Sequence, residues 1–259
     1  MPTLFVVMPV YNEPATLAES VSRVRTARLG EGWHTQPILI DDGSDEATLR
    51  AVRALVDDRG ADRGIDRGID RGTIALFHPK NRGKGAAIRT GFAHALTIAA
   101  DDDAIMIQDA DLEYDSADFA GMLAPLAVGH ADLVLGNRWA VQPRGIKRLA
   151  HRMLNGLLTL SSNLATGLKV SDMECCLKLF SVPAMRRIIG ELDEERFGIE
   201  PQIIAVASRH RLRVCEAPVS YSPRSFDEGK KIRMKDGLRV FVVLWRERRR
   251  TARALHSRA

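Results

Sequence analysis

The sequence predicts an α/β fold, a single domain built on a mostly parallel central sheet. Short apolar runs rich in β-branched residues alternate with segments of helical periodicity, and acidic or polar motifs follow three of these runs. Helices that cross over between parallel strands produce such an alternation. Ligands of these sheets bind beyond the carboxyl ends of the strands, which is where the three motifs fall.

The first half of the chain shows the alternation most clearly. Residues 4–10 (LFVVMPV) are a β-branched apolar run, which predicts a strand buried on both faces. A helix follows, because Leu17, Val21 and Val24 recur at helical spacing. The same criteria predict strands within 37–45, 73–78 and 104–111 and helices at 46–58 and 83–100.

The second half is less regular, but the same two patterns recur. Apolar runs predict strands within residues 131–139, 175–181 and 212–225, and helical patterns cover 143–168, 184–192, 200–210 and 234–250. We divide the chain into a catalytic domain, 1–240, and a basic C-terminal helix or tail, 241–259. Residues 59–72 (RGADRGIDRGIDRG) repeat every four residues with a glycine in each unit, which predicts an inserted loop remote from the chemistry.

Composition restricts the class of protein. The 259 residues are 45% hydrophobic and 27% charged, which is ordinary for a globular protein, and no apolar run approaches the length of a membrane span. Pro9 interrupts the first apolar run and no basic segment precedes it, so we expect no signal peptide. Three cysteines without CxxC spacing predict reduced thiols and a cytoplasmic location.

The basic C-terminus qualifies that location. Residues 246–259 contain six arginines against one acid, an excess that can attract anionic lipid, although a solvated tail gives the same pattern. We therefore expect a cytoplasmic protein that can be peripheral at the membrane face. We expect no nucleic-acid partner. The sequence does not indicate whether the protein is a monomer or an oligomer.

Four acids follow the apolar run at 104–107. In an extended chain, alternation would place Asp109, Asp111, Glu113 and Asp115 on one side, where their like charges require a cation. Carboxylates are ligands for Mg²⁺ or Mn²⁺, and such ions often share their coordination with substrate phosphates. We assign Asp109 and Asp111, with Glu113 as a third ligand, to a metal site. A turn with solvated acids is the alternative.

The order of the motifs resembles glycosyltransferase family 2. It runs through PVYNE, IDDGSDEAT, NRGKGAAIRTGF, QDADLEYDS, GNRW, VSDMECCLKLF, FGIEPQI and PVSYSPRSFDEGKKIRMKDG. Within the family, the chain resembles the branch that contains dolichol-phosphate mannosyltransferases and bacterial polyprenyl-phosphate glycosyltransferases. The resemblance covers about residues 3–238 and implies a Rossmann-like domain of the glycosyltransferase A type.

The resemblance also implies roles for particular residues. A UDP- or GDP-linked sugar donor is assigned to Pro9, Tyr11, Glu13, Asp41, Asp42, Lys84, Asp109, Arg224 and Lys230, with Asp42 preferred over Asp41. Carboxylates suit this task because bases and ribose offer N–H and O–H donors. Asp109 and Asp111 would hold the metal on the diphosphate, and Arg138 would hold phosphates of donor or acceptor. The reaction would invert the configuration of the sugar.

An amphipathic segment is predicted to contact the acceptor. From Arg144 to Leu160, apolar residues follow helical spacing, whereas Arg144, Arg148 and Arg152 fall on the opposite face. We interpret this as an amphipathic helix that binds a polyprenyl phosphate at a membrane surface. A core-packed helix with a solvated basic face is the alternative.

The nature of the acceptor decides whether a base is needed. A phosphate monoester is already anionic near neutral pH, whereas a saccharide hydroxyl needs a general base. Asp172, which we count among the catalytic residues, and Glu174 are the candidates for that base. Transfer to a soluble saccharide hydroxyl therefore remains an alternative function, and a nucleotidyltransferase that makes sugar nucleotides is a more distant one.

Overall fold

The computed structural model describes residues 1–57, 72–141, 149–224 and 234–256. The described residues form seven strands, which we number β1 (Thr3–Val10), β2 (His34–Asp41), β3 (Ile74–Phe77), β4 (Ala104–Ile107), β5 (Leu133–Asn137), β6 (Lys178–Ser181) and β7 (Val214–Pro218). The same part of the chain contains the α-helices α1 (Leu17–Arg25), α2 (Glu46–Asp57), α3 (Lys84–Ile98), α4 (Phe119–Ala127), α5 (Leu149–Thr166), α6 (Val182–Ile188), α7 (Ile199–Arg209) and α8 (Met234–His256).

The strands form one sheet in the order β3-β2-β1-β4-β6-β5-β7. All neighbouring pairs are parallel except the two that involve β6, which runs antiparallel to β4 and β5. At the centre, Val7 of β1 lies in register with Ile38 of β2 on one side and Ile107 of β4 on the other. The predicted α/β class with a mostly parallel central sheet is confirmed.

The core lies between the central strands and the helices that pack on them. All four residues of β4 are buried, as expected for a strand without a solvated face. Helix α3 packs closely on the sheet at Gly91, where an added Cβ would overlap the side chain of Val7 and lie 2.7 Å from Ile40 Cδ1. A glycine at this position brings the N-terminal end of α3 near the carboxyl ends of β1 and β2.

The C-terminal segment, predicted as a helix or tail, contains a helix that packs on the domain. Helix α8 begins at Met234, before the boundary that we placed at 240, and buries Val240, Val243, Leu244 and Glu247. Residues 58–71, which hold almost all of the predicted repeat loop, lie outside the described residues. The division into 1–240 and 241–259 stays a prediction. Among the helices that the structure describes, none is long and apolar enough to cross a bilayer.

Candidate active site

The carboxyl ends of β1, β2 and β4 lie at one edge of the sheet, and the predicted motifs follow them. The segment after β4 is not extended, because Leu112 has a left-handed φ of 61°. The simple alternation of the four acids therefore does not hold. Asp115 caps a short 3-10 turn by accepting a hydrogen bond from the Ala117 amide at 3.0 Å. Asp109, Asp111 and Glu113 remain at the site.

Arg224, which follows β7, joins the acids of two strands. Its guanidinium donates to both carboxylate oxygens of Glu13, at 2.9 and 3.2 Å, and to Asp111 Oδ2 at 3.3 Å. Its backbone amide donates to Glu113 Oε1 at 2.9 Å. Because Glu13 follows β1 and the other two acids follow β4, this arginine holds the loops at the centre of the sheet edge together.

Lys84, the first residue of α3, neutralises a second pair of acids. Its Nζ lies 2.9 Å from Asp109 Oδ2 and 2.8 Å from Glu200 Oε1. Burial by itself would lower the pKa of Lys84, but the charges of Asp109 and Glu200 raise it above its usual value, so the amine stays protonated. Glu200 lies in α7 and its second carboxylate oxygen is buried without a hydrogen-bond partner among the described residues.

The acids after β4 carry more negative charge than these two cations offset. Burial, followed by the charges of Asp109 and Glu113, raises the pKa of Asp111 to about 7. Among the described residues, no group of three or more histidine, cysteine, aspartate or glutamate side chains is arranged to hold a metal ion by itself. Mg²⁺ and Mn²⁺ sites on diphosphates commonly use one or two carboxylates and complete their coordination with phosphate and water. Asp109 and Asp111 fit such a site.

The residues assigned to the nucleoside lie at the ends of β1 and β2. Pro9 pairs in register with Ile40, and Tyr11 lies just beyond β1 with 38% of its surface exposed. Asp42 accepts hydrogen bonds from the amides of Arg82 and Gly83, at 3.0 and 2.7 Å, and therefore fixes the entry to α3.

Asp41 differs from its neighbour in one respect. One carboxylate oxygen accepts from the amides of Gly43 and Ser44, at 3.2 and 3.3 Å. The other is buried and has no hydrogen-bond partner among the described residues. Asp41 therefore keeps one carboxylate oxygen without a hydrogen bond among the described residues, whereas both oxygens of Asp42 accept hydrogen bonds.

Arg138 and Asp172 form a buried ion pair beside the site. The guanidinium donates to both carboxylate oxygens at 2.7 Å, and Asn155 of α5 donates to Asp172 at 3.0 Å. Burial would raise the pKa of Asp172, but the hydrogen bonds and charge of Arg138 outweigh it and lower the pKa below its usual range. Asp172 is thus poorly suited to accept a proton, and the Arg138 guanidinium is turned to the interior.

Glu174, the other candidate base, has the opposite character. Burial and then the charge of Glu200 raise its pKa to about 7. Its Oε1 is buried without a hydrogen-bond partner among the described residues. The surrounding loop is held by Lys178, which is fully buried and donates to the carbonyls of Met173 and Cys175.

Only part of the predicted acceptor group can be placed. Arg144, Arg148 and Lys230 lie outside the described residues. Arg152 is half-buried, and its guanidinium lies 5.4 Å from the ring centre of Trp139. Asn155 and Glu200 were not among the residues predicted from the sequence. Glu200 stands in the quoted motif FGIEPQI, and its position there was the available signal.

Two relatives illustrate what most of the chain resembles. It is 28% identical over 246 residues to the UDP-N-acetylglucosamine--dolichyl-phosphate N-acetylglucosaminyltransferase of Methanococcus voltae, covering 93% of this chain and 94% of that protein. It is 26% identical to the undecaprenyl-phosphate 4-deoxy-4-formamido-L-arabinose transferase of Edwardsiella ictaluri, covering 89% of this chain and 63% of that protein.

A solved structure shares the fold. Glucosyl-3-phosphoglycerate synthase from Mycobacterium tuberculosis, in complex with Mn²⁺, UDP and glucosyl-3-phosphoglycerate, superposes with a TM-score of 0.62. The match covers 95% of this chain and 80% of the other at 19% identity. The model of glycosyl transferase family 2 matches residues 5–189, more than half of the sequence. The predicted family and enzyme class are confirmed: the chain belongs to glycosyltransferase family 2.

Proposed function

We propose that this glycosyltransferase moves a sugar from a UDP- or GDP-linked donor to a polyprenyl phosphate, with inversion and with Mg²⁺ or Mn²⁺. The observation that carries the proposal is the convergence of Asp109 and Asp111 with Lys84 and Arg224 at the carboxyl edge of the sheet. This arrangement offers carboxylates to a cation and two cationic side chains to a diphosphate. The names of the two relatives support the lipid-phosphate acceptor.

The donor side can be assigned to particular groups. Asp109 and Asp111 would hold the divalent ion, which when bound neutralises the charge that develops on the departing nucleoside diphosphate. The Lys84 ammonium lies beside Asp109 and would contact a phosphate oxygen of the donor. Asp41 offers a free carboxylate oxygen to an N–H or O–H of the nucleoside, near Tyr11 at the end of the neighbouring strand.

The acceptor side needs no strong base. The second pKa of a phosphate monoester is near 6, so the attacking oxygen is already anionic at neutral pH. Asp172 can then serve a structural role, as its pairing with Arg138 suggests. Arg144, Arg148 and Arg152 remain our candidates for holding the acceptor phosphate, and Lys230 for the donor. A lipid acceptor of this kind places the enzyme at the cytoplasmic membrane face.

One observation favours a second candidate, transfer to a saccharide hydroxyl. Glu174 combines a pKa of about 7 with a buried, unused carboxylate oxygen, which is the combination expected of a general base. Asp172, the other residue considered for that role, is engaged by Arg138. A nucleotidyltransferase activity has no comparable support.

The test supplies purified protein with UDP-glucose, UDP-N-acetylglucosamine or GDP-mannose, each with Mn²⁺ or Mg²⁺, and with either polyprenyl phosphate or a soluble saccharide. We expect nucleoside diphosphate and a glycosylated lipid phosphate. Product on the saccharide alone would establish the second candidate. Pyrophosphate release from a nucleoside triphosphate would contradict the proposal.

A further inference from the structure

Helix α5 is inverted relative to an ordinary amphipathic helix of a globular protein. Its outward side carries five large apolar residues that are between 49% and 77% exposed: Met153, Leu154, Leu157, Leu160 and Leu164. Its inward side contains Leu158 but also three polar residues, Asn155, Thr159 and Ser162, none of which is more than 4% exposed. Helices of water-soluble domains bury their apolar stripe, so this exposure needs an explanation.

Hydrogen bonds explain why the polar side of α5 is buried. Asn155 donates to Asp172 at 3.0 Å, and Thr159 Oγ1 accepts from the Met173 amide at 3.3 Å. Asn163 holds Val170 from both sides, donating to its carbonyl at 2.8 Å and accepting from its amide at 3.1 Å. The polar side of α5 thus fixes the segment that carries Asp172. No described element covers the apolar side.

Helix α8 packs beside α5 and also exposes large apolar residues. Its exposed residues include Phe241, Val242 and Trp245, and the Arg249 guanidinium lies 3.5 Å from the centre of the Trp245 ring. Aromatic rings of this kind, apolar with a polar tip, are enriched where membrane meets water.

The arginines of α8 separate into two groups. Arg246 and Arg250 are half-buried and pair with Asp193 and Glu247. Arg248 and Arg253 are exposed, and no described acidic side chain lies within ion-pair distance of them. The outward side of α8 therefore changes from apolar to basic along its length.

We propose that the outward sides of α5 and α8, which we call the docking face, bind the surface of an anionic bilayer. The leucine row would enter the boundary between head groups and acyl chains, Trp245 would lie at the interface, and Arg248, Arg249 and Arg253 would contact anionic head groups. Charge complementarity favours this occupant, because anionic head groups match the exposed arginines, whereas the same face of a second copy offers them no acidic side chain among the described residues. The inference rests on the proposed function, since a lipid-phosphate acceptor is presented from this surface.

The test measures sedimentation of the full chain with vesicles of phosphatidylcholine alone or mixed with phosphatidylglycerol. The unaltered protein should sediment with the mixed vesicles. Leu157→Glu combined with Leu160→Glu should reduce the bound fraction at least about tenfold, because charged side chains would enter the apolar boundary. Val128→Glu is the matched control, since Val128 is 78% exposed but lies after α4, outside the docking face. Arg248→Glu with Arg253→Glu should abolish the preference for anionic lipid.

Two results would overturn the docking face: an unaltered protein that does not sediment, or a double leucine variant that sediments as well as the control. If the leucine variant instead changes a dimer to a monomer in light scattering, the face joins two copies and the bilayer proposal is wrong. Thermal unfolding by circular dichroism checks that the variants fold. Transfer to a short-chain, water-soluble polyprenyl phosphate without vesicles separates the two hypotheses, because it tests the proposed function without requiring a membrane.

Discussion

Arg138 and Asp172 form a two-point ion pair whose side chains are 6% and 0% exposed. Both hydrogen bonds between guanidinium and carboxylate are 2.7 Å long, and the Arg138 amide donates to the same carboxylate at 3.0 Å. The pair ties the residue after β5 to the segment that Asn155 of α5 holds through Asp172.

Breaking this pair from one side should destabilise the protein strongly. Arg138→Met leaves the Asp172 carboxylate buried without its cation, a change that typically costs about 3–5 kcal/mol. Arg138→Met combined with Asp172→Leu should recover part of that loss, because neither charge is then buried alone. Urea denaturation measures both. Arg213→Met is the control: the Arg213–Asp132 pair is exposed to water, so its removal should cost far less. Equal losses of unfolding free energy in Arg138→Met and Arg213→Met would show that the buried pair contributes no more to stability than the exposed one.

The same pair should contribute a pH-dependent part of the stability. The folded state lowers the pKa of Asp172, so its contribution is present above the unfolded value near 3.9 and is lost as pH falls through the folded pKa. We expect the urea midpoint of the unaltered protein to fall below about pH 4. Asp172→Asn should lack that component and show a flatter profile in the same range. Parallel profiles for the two proteins would contradict the assignment.

The edge of the sheet that carries the predicted donor-binding residues could be predicted from the sequence, because it follows from the succession of strands and helices along the chain. Alternating strands and helices identify the carboxyl ends of β1, β2 and β4, and the motifs there contain the acids. The conformation within a motif was harder to predict. The left-handed φ of Leu112 turns the chain and separates Asp115 from Asp111, which a simple period of two could not reveal.

Contacts between distant segments could not be predicted in the same way. Lys84 meets Glu200 only because α3 and α7 both approach the site, and nothing in either local pattern specifies that contact. Periodicity did predict two sides for α5 but not which one is buried. The usual rule buries the apolar side. Here the polar side faces inward, because Asn155 donates a hydrogen bond to Asp172 and Thr159 accepts one from the Met173 amide.

Asp111 is the residue whose substitution should most directly affect metal use. Asp111→Asn removes a carboxylate charge at the diphosphate while keeping the side-chain volume, so turnover should fall by about 10²-fold or more with the fold unchanged. Asp109→Asn should act likewise. Glu113→Gln should be milder, because the amide oxygen can still accept the hydrogen bond of the Arg224 amide. Steady-state kinetics and titration of Mn²⁺ in the presence of UDP measure these effects.

Asp115→Asn is the matched control in the same segment. Asp115 is exposed and caps a turn, and its amide counterpart can retain that hydrogen bond. The activity and Mn²⁺ affinity of the Asp115→Asn variant should therefore stay close to those of the unaltered enzyme. Full activity of Asp111→Asn in a metal-free buffer would remove the metal from the proposal.

Lys84 should contribute through its charge and its reach. Lys84→Met removes the cation shared by Asp109 and Glu200, and we expect turnover to fall by about 10²-fold if the ammonium contacts the departing diphosphate. Lys84→Arg should keep part of the activity because it retains the charge. Lys169→Met, at an exposed position, should have no effect. If Lys84→Met changes only thermal stability, the lysine is structural and takes no part in the transfer.

Glu174 provides the clearest distinction between the two acceptor chemistries. A polyprenyl phosphate should give a rate that rises with pH through about 6, as its own second proton is lost, and Glu174→Gln should leave that profile in place. A saccharide hydroxyl needs a base, so its rate should rise through about 7, the pKa of Glu174, as the carboxyl group loses its proton. Glu174→Gln should then abolish transfer to the saccharide, and with it the rise of that rate through about pH 7. The measurement is kcat/KM against pH for each acceptor with each enzyme. A loss of lipid-phosphate transfer in Glu174→Gln, with donor binding intact, would mean that even an anionic acceptor depends on this carboxylate.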